Sequence, residues 1–266
     1  MPKKVLILTD NPSPVLDIKK VCNFLSEYFN DVEYGGELIS WLSLNREGLD
    51  GYEENLKSIR VLDIENPLTH PTNEYQDKTG KNIGISSDPN KVTGDLYDGY
   101  WLQRHLFSLI NSESQKNLSE YSVIIITGKL FGTFEGKRYH ARVVLLGCPH
   151  IVSTSGVVEA PARPPEYYWI MAGMLRSDSP VPEIDKFLGD KYLTYDDPRI
   201  DDTICSYLLQ PLLYDLTGSA FCENTKCCIH NSHWQKEVLE VQYKQKLCEK
   251  CSRILKSVKS RYAAKT

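Results

Sequence analysis

Four cysteines near the C-terminus constrain this chain more than any other feature. They fall as Cys222-x4-Cys227 and Cys248-x2-Cys251, with twenty residues between the two pairs. That arrangement suits a tetrahedral zinc ion, because each close pair makes a tight knuckle and the intervening segment is long enough for a short helix that returns to the metal. The neighbours Glu223, Asn224, Lys226, Glu249 and Lys250 are polar, which argues against four thiols packed merely as small apolar residues. One structural Zn2+ is the expected cofactor, supplying folding energy where the core is thin. Cys228 directly follows a ligand and is expected to point away from the metal; Cys228 or His230 would substitute in a shifted register. His230 and His233 stand three apart beside the knuckle, and a supporting role behind the ligands, bonding a cysteine sulfur or capping the next helix, is expected of them. Asn231 or Ser232 is the expected helix cap, with Trp234 packed on the knuckle.

Eight cysteines in 266 residues would suggest a disulfide framework only in an oxidising compartment. The opening Val5-Leu6-Ile7-Leu8 run is too short for a signal segment or a membrane span, so a cytoplasmic location without membrane insertion is expected. The formal charge of -4 is unevenly spread. Residues 221–266 hold ten Lys/Arg against four Glu, a local excess of +6 that leaves -10 on the remainder. A basic tail can serve nucleic acid, or it can offset the charge of about -2 carried by a zinc ion on four thiolates.

Lys4–Thr9 and Ser122–Thr127 read as buried strands from their continuous branched-aliphatic runs. Asp10-Asn11-Pro12-Ser13-Pro14 follows the first with turn and helix-start residues, and Val15, Ile18, Val21, Cys22, Leu25 and Phe29 then keep helical spacing. Cys22 reads as a packing residue on that face. Asn66–Tyr97 reads as a long loop, and Leu102, Leu106 and Ile110 mark a further helix. A turn at Glu135-Gly136-Lys137 joins Leu130-Phe131-Gly132 to an alternating strand, Arg138–Leu146. Arg138, His140 and Arg142 share one face of it, as on an edge strand or along a cleft. A buried helix is expected over Asp197–Thr217, capped by Asp197, with Pro211 forcing a kink or a restart because an interior proline costs about 3 kcal/mol. After Cys251, Ile254, Leu255, Val258 and Tyr262 predict an amphipathic helix packed on the body. The expected organisation is an α/β body over 1–220 and a knuckle with its C-terminal helix over 221–266, packed as one domain.

The stretch Leu216–Ile229 resembles the archaemetzincin family of zinc peptidases, whose motif is H-E-x-x-H-x-x-G-x-x-H-C-x4-C-x-M with a later C-x2-C pair. Gly218 falls on the motif glycine and the four cysteines on their counterparts. The catalytic half differs: Pro211 and Asp215 stand where the first two zinc-binding histidines would be, Leu212 at the glutamate base, Phe221 at the third histidine and Ile229 at the Met-turn methionine. The chain is also similar to an archaeal family of metallopeptidase-like proteins over Arg138–Arg142, Val157–Pro161 and Asn231–Gln235. The resemblance implies a zincin-like mixed sheet with helices, an edge strand along a substrate cleft, and a four-cysteine zinc subdomain.

A metzincin site needs three neutral imidazoles on zinc and a carboxylate beside the metal-bound water. The leading expectation is therefore a degenerate relative that keeps the structural zinc and binds a protein or peptide in the former cleft. Arg138, His140, Arg142 and Glu159 are the candidate cleft residues, with Glu159 on a cleft-lining loop over Gly156–Pro165, where burial would raise its pKa and suit it to acid–base work. One alternative is an atypical metallohydrolase with a second metal on His140, Glu159 and Asp215. Another is a zinc-knuckle nucleic-acid binder using the basic tail. Thr127-Gly128-Lys129 follows a strand but lacks the spaced glycines that cradle phosphate.

Overall fold

The computed structural model describes residues 4–61, 95–113, 117–136, 138–177, 184 and 188–263. Most of the expected loop at Asn66–Tyr97 lies outside them, but its end does not: Leu96–Asp98 forms a strand. The Tyr262 side chain also lies outside the described residues.

Two apolar runs set the frame. β1 (Lys4–Asp10) and β4 (Tyr121–Thr127) pair in parallel, Leu6 opposite Val123 and Leu8 opposite Ile125. Because successive side chains of a strand point to opposite faces, Val5, Ile7, Ile124 and Ile126 enter one core while Leu6, Leu8, Val123 and Ile125 enter another. Burial on both faces is why these strands are apolar without alternation. β2 (Asp31–Glu37) and β8 (His150–Ser153) extend the sheet in parallel, and β7 (Val144–Leu145) adds an antiparallel edge, giving the order β2-β1-β4-β8-β7. A smaller sheet holds β3 (Leu96–Asp98), β5 (Leu130–Glu135) and β6 (Arg138–Arg142), with β6 at its edge.

The strand expected over Arg138–Leu146 is thus two strands. The chain leaves β5 at Arg142 and, past Val143, joins the main sheet beside β8. Local alternation continues through the break, so only the pairing partners reveal it.

Helices α1 (Ile18–Ser26), α5 (Thr154–Glu159), α7 (Arg199–Thr217), α8 (Gln235–Glu240) and α9 (Glu249–Ala263) contribute to the first core. α2 (Leu38–Leu42), α3 (Arg46–Ser58) and α4 (Gly99–Glu113) contribute to the second, while α6 (Pro165–Ser177) packs with Tyr192 in a cluster of its own. The first core is continuous from the sheet to the C-terminal segment, joining Val21 and Leu208 to Cys227, Cys251, Leu255 and Val258. Cys22 packs against it, half-buried, and burial pushes its thiol up.

Pro211 does not divide α7. One helix runs through it from Arg199 to Thr217 and closes on Gly218 at φ 74. Every residue from Thr203 to Leu213 is buried, and removing that much apolar surface from water outweighs the local penalty of one missing N–H. The cap also differs from expectation. Pro198 is the N-cap, while the Asp197 carboxylate accepts from the Arg199 backbone N–H and grips its guanidinium, Nη2 at 2.6 Å.

The carboxyl ends of β1 and β4 meet at a buried ion pair. Lys129 places Nζ 2.7 and 2.6 Å from the two oxygens of Asp10, and Thr127 donates to the same carboxylate at 3.0 Å. A Cβ on Gly128 would stand 2.0 Å from the Asn11 carbonyl oxygen, so this turn accepts only glycine. Thr127-Gly128-Lys129 therefore serves here to lock two loops together.

Candidate metal centre

The first cysteine pair is held by a turn. Asn224 accepts from Lys226 N through its side chain and from Cys227 N through its carbonyl, and Cys222 N donates to Ile229 O. The second pair straddles the start of α9. There Cys251 N donates to Cys248 Sγ at 3.5 Å, and Cys248 N donates across to Cys227 Sγ at 3.4 Å.

The donor atoms of Cys222, Cys227, Cys248 and Cys251 all lie within 4.8 Å of one another, and the Cys222 and Cys248 sulfurs are 3.6 Å apart. A zinc ion with arms of about 2.3 Å requires sulfur–sulfur edges of about 3.8 Å. The geometry fits. The acid–base chemistry fits as well, since four adjoining thiols cannot all ionise without a cation among them. Burial pushes Cys222 and Cys251 up. Cys227 is held well below the ordinary thiol range, first by its hydrogen bond with Cys228 and then by the backbone N–H groups of Cys248 and Ile229. The cluster can hold a metal ion.

Cys228 is buried behind Cys227 in the core rather than turned to solvent, and its thiol is the donor that stabilises the Cys227 sulfur. His230 reaches the knuckle by donating from Nδ1 to the Cys222 carbonyl at 3.0 Å, so it bonds backbone and not sulfur. Its own carbonyl accepts from Gln242 Nε2, and Gln242 O accepts from Ser206 of α7, which ties the knuckle to the buried helix. His233 is exposed. The cap of α8 is neither Asn231 nor Ser232: the Glu237 carboxylate reaches back to the N–H groups of His233 and Trp234. Trp234 is exposed and lines a groove with Ala162, Pro164 and Leu239.

The other candidates are dispersed. His140 is exposed on β6 opposite Thr133, and Arg142 on the same strand pairs with Glu135 at 2.6 Å. The Arg138 side chain lies outside the described residues. Gly156–Pro165 begins within a helix rather than a loop, since Thr154–Glu159 is α5 and buries Val157 and Val158. Glu159 is buried at the end of that helix, with Arg163 Nη2 at 3.1 Å. Arg163 also reaches the Tyr167 hydroxyl and lies over the Tyr167 and Tyr192 rings. A buried carboxylate so paired is held in a fixed ion pair.

Asp215 accepts from Ser122 Oγ at 2.5 Å and lies 3.0 Å from His150 Nε2. Gly147 N–H donates to His150 Nδ1, so the ring proton is on Nε2 and points at Asp215. Both nitrogens are committed. Three different neighbourhoods thus hold His140, Glu159 and Asp215, and among the described residues the four cysteines are the only group of three or more His, Cys, Asp or Glu side chains close enough to share a metal ion. Sequence reading passed over His150 and Ser122, although a histidine opening the apolar run Ile151-Val152 was a signal that it is buried and needs partners. Gln235 was passed over in the same way. Fully buried, it donates to the Val157 and Val158 carbonyls and accepts from Leu193 N, clamping α8 to α5.

A model of the probable metallopeptidase family (DUF6775) matches residues 1–258. Among solved structures the chain is similar to archaemetzincin from Methanopyrus kandleri, at 12% identity and a TM-score of 0.48, over 97% of this chain and 96% of that one. It is also similar to a zinc-dependent peptidase from Methanocorpusculum labreanum strain Z, at 12% identity and a TM-score of 0.47, over 94% and 99%. No curated protein matches the chain. Among the described residues no helix is long and apolar enough to cross a membrane.

Proposed function

The chain belongs to the probable metallopeptidase family, and from that premise we propose that it keeps one structural zinc on Cys222, Cys227, Cys248 and Cys251 and works as a protein- or peptide-binding member without a peptidase zinc. The observation that carries this reading is the engagement of Asp215. It is the one residue with a metal-binding side chain among the motif positions 211, 215 and 221, and its carboxylate is taken up by Ser122 and His150. Pro211 and Phe221 offer no donor to a metal. Hydrolysis of the metzincin kind depends on three imidazoles that set up a metal-bound water, and none stands at those positions.

The zinc would supply folding energy, holding α9 and the knuckle against α7 and the sheet. The partner would be an extended peptide. Among the described residues β7 ends the main sheet with no further strand beside it, an edge to which a strand can add, and Tyr214 and Phe221, exposed at the close of α7, offer aromatic surface.

Metal analysis of the purified chain together with a peptidase assay on unstructured polypeptide tests the proposal. One zinc per chain and no cleavage are expected. Two tightly bound metals, with the second surviving replacement of all four cysteines, would overturn it.

A further inference from the structure

The surface of α9 and the turn before it is strongly basic. Between residues 244 and 259 stand Lys244, Lys246, Lys250, Arg253, Lys256 and Lys259, against Glu249 alone. All six cations are exposed. Those on the helix recur every third residue from 250 to 259, rising about 14 Å at 1.5 Å per residue while winding about half a turn around the helix, because each step of three falls about 60° short of a turn. Charge on helices is ordinarily matched by neighbours of opposite sign. The side chains of Lys244, Lys246, Lys250, Arg253 and Lys256 have no hydrogen-bond or ion-pair partner among the described residues, a state they share with Lys19, Arg46 and Lys57, so it is their crowding within sixteen residues that sets them apart. Lys259 alone is engaged, donating to the Ser26 carbonyl.

We propose that this row binds the phosphate backbone of single-stranded nucleic acid. Unpaired cations along a rigid helix match a chain of regularly spaced anions, and releasing the counterions of that chain drives association. Lys250 and Arg253 line one depression with Cys222, Cys248 and the carboxylates Glu223 and Glu249, so the cations beyond it, Lys244, Lys246 and Lys256, carry the free charge. Phe221, next to Cys222 in the chain and 45% exposed, brings an aromatic face to the same end of the row. A base splayed from a single strand can stack there, which a duplex does not permit. An anionic membrane fits less well. The opposite face of α9, with Cys251, Leu255 and Val258, is committed to the core, so among the described residues α9 has no second apolar face to insert. The proposal shares Phe221 with the peptide surface, but its cations belong to neither the cleft nor that surface: a chain that cleaved peptides would bind through this row all the same.

The test is fluorescence anisotropy of the zinc-bound full chain with labelled oligo(U) and oligo(dT), with vesicles containing phosphatidylserine as competitor. With four phosphates neutralised, the logarithm of the affinity falls with that of salt at a slope of about -2.8, so binding weakens roughly 50-fold between 50 and 200 mM salt. The triple variant K250E/R253E/K256E is expected to lose at least tenfold in affinity at 50 mM salt while keeping its zinc content and far-ultraviolet dichroism. Lys57→Glu, exposed on α3, is expected to change affinity less than twofold. Binding of either strand with this pattern supports the proposal, and a preference between the two names the sugar. No binding at 50 mM salt, affinity indifferent to salt or to the triple variant, or full displacement by vesicles at equal anion concentration would each overturn it.

Discussion

Replacing Asp215 with alanine separates a structural carboxylate from a metal ligand. The carboxylate accepts from Ser122 Oγ and from the Nε2–H of His150, and the two donor residues are 3% and 2% exposed. A hydrogen bond to a charged group contributes about 1.5–3 kcal/mol, and its loss leaves the partner buried and unpaired. Two such losses total about 3–6 kcal/mol. Asp215 is itself 20% exposed, so water can enter behind alanine, and the expected cost is at the lower end, about 3 kcal/mol. For a chain of this size each kcal/mol moves Tm by about 2–4 °C, so Asp215→Ala should melt about 6–12 °C below the parent. Asp215→Asn keeps an acceptor oxygen and should recover more than half of that. Calorimetry gives the shift, and metal analysis of the same samples should return an unchanged zinc content. A Tm drop under about 3 °C would show that the donors find other partners. Loss of a metal equivalent would refute the assignment of Asp215 to the network.

Lys129→Met leaves Asp10, 2% exposed, without its counter-charge. Breaking a buried pair from one side costs about 3–5 kcal/mol, and the double variant Asp10→Asn/Lys129→Met should regain most of it in urea unfolding. Equal stability of the single and double variants would contradict the pairing. Cys251→Ser should take zinc from one per chain to none and reduce the helical dichroism of the C-terminal segment, as should a strong chelator acting on the parent. Full zinc retention by that variant would place the metal elsewhere.

Strands, the four-cysteine cluster and helix faces were legible because each is written in local spacing. Val5–Leu8 and Val123–Ile126 are apolar on both faces, which only a strand covered on both sides tolerates. The four cysteines sit in two short-range pairs, and a knuckle is nearly closed by its own turn. Leu255 and Val258 likewise announce their buried face. What the reading missed lies in side chains that meet across the fold. His150 finds Asp215 65 residues on, and Lys129 finds Asp10 119 residues back. Glu159 read as a cleft-loop residue suited, if buried, to acid–base work, whereas it closes α5 and pairs with Arg163. Arg138–Leu146 read as one strand because alternation records which face is buried and not which neighbour supplies the hydrogen bonds.

The cysteine spacing by itself determined that this chain can gather four thiolates around one metal ion, since the geometry of a knuckle is set within a few residues. Only the tertiary structure decided that the carboxylate at position 215 faces Ser122 and His150 and that the cations of α9 face solvent. Those outcomes depend on which surfaces α7 and α9 bury against the sheet, and that is settled by packing the whole chain at once.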